Sequence, residues 1–122
     1  MSMVSELDSH LALRSSLTKK QIERLSLQIS AEKRHGSTIK SQPKHLIVGV
    51  SEGAYYRVVD QAKKNVDEAL YTLLLCSRMG VIRTEDLTRL LRLVIRAPEE
   101  PSENTEEVVS LVDALVRKIV MI

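Results

Sequence analysis

A chain of 122 residues, 43% apolar and without Phe or Trp, must build its core almost wholly from Leu, Val, Ile, Ala and Met, a composition that suits packed helices in a single domain. A lone Cys76 excludes an internal disulfide, and no unbroken apolar run offers a signal-peptide core or a membrane span, so a cytoplasmic location is expected. The net charge of +2 conceals an asymmetry: positions 11–64 hold eleven Lys or Arg against four acids, whereas 97–113 hold six acids and no base.

Taken in chain order, residues 3–15 carry only a weak helical pattern, and 1–17 is expected to be flexible. The first clear helix begins at Thr18, whose hydroxyl can cap the backbone while Gln21 reaches back to complete a capping box. Ile22, Leu25 and Ile29 then form one apolar stripe, and Gly36 provides a stop. Residues 37–48, rich in Ser and Lys and interrupted by Pro43, read as a basic loop.

Beyond Gly53, Tyr55, Val59, Ala62, Val66, Ala69, Leu73 and Cys76 follow at alternating steps of four and three, the spacing of a coiled-coil seam. This helix reaches Met79, spans roughly 40 Å at about 1.5 Å per residue, and ends at Gly80. Val58, Leu70, Leu74 and Leu75 make the stripe wider than one intramolecular neighbour needs, so a homodimer is expected. Cys76, inside this apolar stretch, reads as a buried small hydrophobe.

Thr84 is expected to cap the next helix, whose Leu87, Leu90, Leu91, Val94 and Ile95 share one face. Arg89, Arg92 and Arg96 line another face, and pairing with Glu99, Glu100 and later acids is expected for them. Pro98 and Pro101 break the chain into a linker at 97–103, after which Asn104 and Glu107 offer a second capping box. The last helix carries Val108, Leu111, Val112, Leu115, Val116 and Ile119. The expected fold is therefore an all-α helical bundle of four to five helices with one long central helix, in one domain spanning 1–122.

The stretch Gly49-Val50-Ser51-Glu52-Gly53-Ala54-Tyr55-Tyr56-Arg57-Val58 resembles the turn and recognition helix of helix-turn-helix DNA-binding proteins. The resemblance implies Gly49 as the turn, Val50 as a core plug and Ser51 as the cap, with Glu52, Tyr56 and Arg57 facing DNA. Independently, the basic excess of 11–64 suits phosphate contact through Lys19, Lys20, Arg24, Lys40, Lys44, Lys63 and Lys64. The same cations also fit a solvated charged face, and Ser51 also fits an ordinary helix cap.

His10, His35 and His45 lie in separate segments without a second ligand at metal spacing, so no metal or other cofactor is implied. Catalytic carboxylate pairs, phosphate-binding Gly-rich loops and nucleophile elbows do not occur in the sequence, and neither an enzyme nor a small-molecule substrate is expected. Two functions follow as expectations: a nucleic-acid-binding protein, DNA favoured over RNA, acting in transcription regulation; or a helical assembly subunit whose aliphatic seam packs on a second copy or another protein.

Overall fold

The computed structural model describes residues 6–33, 43–97 and 105–122. Six helices lie among them: α1 (Glu6–Arg14), α2 (Lys19–Lys33), α3 (Lys44–Ile47), α4 (Glu52–Met79), α5 (Thr84–Arg96) and α6 (Thr105–Ile119). The all-α class and the long α4, 28 residues in mid-sequence, match expectation, but the helix count is six and not four to five. The extra element is α3, a single turn too short to carry a periodic signal. Residues 37–42 of the expected basic loop, the expected Gly36 stop, and most of the linker with Asn104 lie outside the described residues.

Two compact units emerge, one within 15–67 and one formed by 6–14 with 68–122; α4 runs from the first into the second. In the first unit, Thr18 and Gln21 form the expected capping box: the Gln21 amide donates to Thr18 Oγ1 at 3.2 Å and the Thr18 amide to Gln21 Oε1 at 3.0 Å. That same Oε1 accepts from Asn65 Nδ2 at 3.0 Å, so the cap of α2 also ties it to α4. Tyr55, Val59 and Ala62 of α4 are fully or almost fully buried. The Tyr55 hydroxyl donates to Gln28 Oε1 at 2.9 Å, which meets the polar need of a phenol taken out of water.

Short-range capping also closes α3 and opens α4. The Val50 amide donates to the His45 carbonyl and the Gly49 amide to Leu46, the paired bonds of a Schellman motif, and Gly49 adopts the φ of +70° that this motif requires. Ser51 then accepts from the Ala54 amide at 3.2 Å and caps α4.

In the second unit the same Schellman pairing ends α4: Val81 donates to Cys76 and Gly80, at φ +78°, to Ser77. The turn that follows meets the C-terminal residues. Arg83 donates to the Ile119 carbonyl at 3.0 Å, Met121 to Val81 at 2.8 Å, and Ile82 and Val120 form an isolated antiparallel bridge. Leu7, Leu90, Val112 and Ile119 make the core, with Leu11, Leu87, Leu93, Val94, Val108 and Leu115 packed against it. The expected Thr84 cap does not form: Arg83 occupies the cap position of α5, no side chain caps the helix, and the Thr84 carbonyl accepts from the Thr88 hydroxyl.

Candidate functional site

The residues expected to meet nucleic acid do not share one environment. Lys19 and Lys20 stand exposed in the first turn of α2, a turn without an acid, where they reinforce the positive end of the helix dipole. Arg24, one turn on, is only 6% exposed; its Nη1 donates to Glu23 Oε1 at 2.7 Å and its guanidinium carbon lies 5.9 Å from the Tyr55 ring centroid. Arg24 therefore serves the interior of this unit and does not present its charge to a polyanion. Lys44 opens α3 and is half-buried, while Lys40 lies outside the described residues.

On α4, Ser51 spends its hydroxyl on the cap, and Tyr56 and Arg57 are exposed, as are Lys63 and Lys64. Tyr56 also meets Tyr55 edge to face at 5.1 Å. Between 52 and 67 the exposed charges are Glu52, Asp60 and Asp67 against Arg57, Lys63 and Lys64, so this stretch carries no net charge. The helix before the Gly49 turn has four residues and the helix after Ser51 has 28, a shorter and a longer partner than the helix-turn-helix pattern pairs. Burial and the neighbouring Tyr56 push the Tyr55 hydroxyl above its ordinary pKa, with Arg24 opposing.

The apolar surface tells more. Burial along the α4 seam fades after Ala62: Val66 is 38% exposed, Ala69 is exposed, and Leu73 and Cys76 are half-buried, so Cys76 is less enclosed than expected. Leu70, Tyr71, Leu74, Leu75 and Met79 are between 55% and 73% exposed. At 100° per residue, seven consecutive positions from 70 to 76 cover every side of the helix, and all but Thr72 are apolar or nearly so. Tyr71 and Met79 were not assigned to the stripe by sequence, although their i, i+4, i+8 spacing with Leu75 is visible there. In the same unit Leu91 and Ile95 of α5 and Leu111 and Val116 of α6, each expected on a core face, stand at the uncovered edge.

Between α1 and α6, His10 Nε2 lies 2.8 Å from Asp113 Oδ1, in a cleft that Arg14 and Arg117 also line. The hydrogen bond from His10 holds the Asp113 carboxyl below its ordinary pKa; desolvation opposes this, and the charges of His10, Arg14 and Arg117 add to it. This bond fastens α1 to α6. Arg89 pairs within α5, its Nη1 3.7 Å from Asp86 Oδ1, whereas Glu99 and Glu100 lie outside the described residues. Among the described residues no three His, Cys, Asp or Glu side chains converge on a metal position, and no helix is long and apolar enough to cross a membrane. No protein-family model matches the chain, and no curated protein or solved structure is significantly similar to it.

Proposed function

We propose that this chain is a helical assembly subunit that associates with copies of itself through apolar helix faces. One observation carries this reading: the C-terminal end of α4, apolar at every position from 70 to 76 but Thr72, exposes Leu70, Tyr71, Leu74, Leu75 and Met79. Contiguous exposed apolar surface of this kind marks association sites. Fully burying a Leu or Met side chain is worth about 1.5–3 kcal/mol, so a few such residues from each of two chains are sufficient for an interface. Sedimentation equilibrium at micromolar concentration tests it: a mass at a multiple of 13.7 kDa is expected, and a monomer overturns it.

A second reading, nucleic-acid binding by the first unit, draws support from the two lysines at the N-terminus of α2, where side-chain charge and helix dipole have the same sign. It includes Lys19, Lys20, Arg57, Lys63 and Lys64 and leaves out Arg24. Binding to duplex DNA would then weaken with salt at a log-log slope of about −0.9 per phosphate neutralised. An anisotropy titration without binding at low salt rejects it.

A further inference from the structure

The assembly reading leaves open which face of the chain meets the second copy and in which direction, and α4 answers both. Glu68, Tyr71, Leu75 and Arg78 follow at steps of three, four and three, the a and d spacing of a two-helix seam, and all four are exposed. Leu74, 62% exposed, flanks this seam and widens its apolar middle, and Met79, 65% exposed, lies one residue past Arg78. The ends of the seam differ in sign: an acid opens it and a base closes it, ten residues apart.

That polarity decides the direction of pairing. Laid parallel and in register, two such helices set Glu68 against Glu68 and Arg78 against Arg78, two like-charge layers in an otherwise apolar contact. Laid antiparallel about position 73, they set each Glu68 beside Arg78 of the other copy and each Tyr71 beside Leu75, so all four layers are complementary. The contact is then isologous and closes as a two-fold dimer. Long Glu and Arg side chains at the seam ends reach water while their stems cover apolar surface.

We infer that a second copy of this chain docks antiparallel on the 68–79 face of α4, with Glu68 of each chain in the same layer as Arg78 of the other. This inference rests on the self-assembly reading, and cysteine cross-linking combined with sedimentation separates the failure of one from the failure of the other. In a Cys76→Ser background, Glu68→Cys and Arg78→Cys are prepared separately, oxidised alone and oxidised as a mixture. A mixed dimer retains the Glu68 and Arg78 pair at its other end, so the interface is preserved. Covalent dimer in the mixture, with little from either variant alone, is the expected result.

Efficient cross-linking of each variant alone marks a parallel pair and overturns the inference while leaving self-assembly in place. Sedimentation as a dimer with no cross-link in any arm puts the interface elsewhere, with the same consequence. A monomer by sedimentation overturns both. As an independent arm, Glu68→Arg should weaken dimerisation by roughly tenfold, because it creates two like-charge layers, and Glu68→Arg with Arg78→Glu should restore it. Failure of the double exchange to restore the dimer also overturns the inference.

Discussion

The two ends of α4 are built from similar residues and meet different fates. Near its start Tyr55, Val59 and Ala62 occupy one stripe and are buried; near its end Tyr71, Leu74, Leu75 and Met79 spread over a wider arc and are exposed. Tyr55 finds Gln28 for its hydroxyl and Arg24 for its ring, whereas Tyr71 is 73% exposed. A stripe of about 100° is what an intramolecular neighbour can cover, so apolar residues beyond that width signal a second partner.

The largest expected effects test this contrast directly. Tyr55→Ala should cost about 3–5 kcal/mol of stability, because it empties a fully enclosed position and leaves Gln28 and the buried Arg24 without their neighbour. Tyr71→Ala, on the same helix, should change the fold of the isolated chain by less than about 0.5 kcal/mol. Its effect belongs to association: wild-type melting should rise with protein concentration, and that rise should shrink in Tyr71→Ala. Thermal unfolding at several concentrations checks both, and equal behaviour of the two variants breaks the comparison.

The caps of α4 give smaller effects at its two ends. Gly80→Ala meets no atom within 4 Å, but the left-handed backbone should cost about 1–2 kcal/mol. Ser51→Ala should cost about 1 kcal/mol through loss of the bond to the Ala54 amide. Denaturant midpoints measure both, and neither variant should alter association.

What was legible in the sequence divides by range. The capping box of Thr18 and Gln21, the Ser51 cap and the Gly80 stop involve residues within five positions of one another, so the residue types alone suffice. Thr84 shows the limit of even that rule: backbone pairing of Arg83 with Ile119 fixes the start of α5, and a partner 36 residues away cannot be inferred from a local pattern. Charge counting placed Arg24 at the surface because it takes no account of a Tyr 31 residues away that accepts the guanidinium on its ring. Periodicity named the apolar faces of α5 and α6 but not their uncovered edges at Ile95 and Leu111, since a stripe does not reveal how many neighbours cover it. Of the residues proposed for nucleic-acid contact, Lys40 lies outside the described residues and Arg24 is buried, whereas Ser51 caps α4 as the resemblance implied.

The junction of α1 with α6 adds a pH dependence to the second unit. The folded Asp113 carboxyl has a pKa below its ordinary value, so the stabilisation from its bond to His10 is present at neutral pH. It is lost as pH falls below about 4 and through the depressed folded value. Urea midpoints of the wild type should therefore drop over this acid range more steeply than those of Asp113→Asn. Parallel curves would mean that the bond contributes nothing to stability.

The smallest expected effects concern the exposed cations, and they decide whether the first unit has a function of its own. Arg57 stands on a stretch of α4 whose three bases are matched by three acids, whereas Lys19 stands where the α2 dipole adds to its charge. Neither Arg57→Ala nor Lys19→Ala should change stability by more than about 0.5 kcal/mol, and neither should alter dimerisation, since neither lies within residues 68–79. Titration of duplex DNA then separates three cases. Affinity unchanged in both leaves these cations as a solvated surface. Uniform weakening in Lys19→Ala alone marks a phosphate-binding surface without sequence reading. A loss of about 1–3 kcal/mol in Arg57→Ala, with relaxed sequence preference, requires that the start of α4 enters a groove, and the neutral charge of that stretch makes this the least expected of the three.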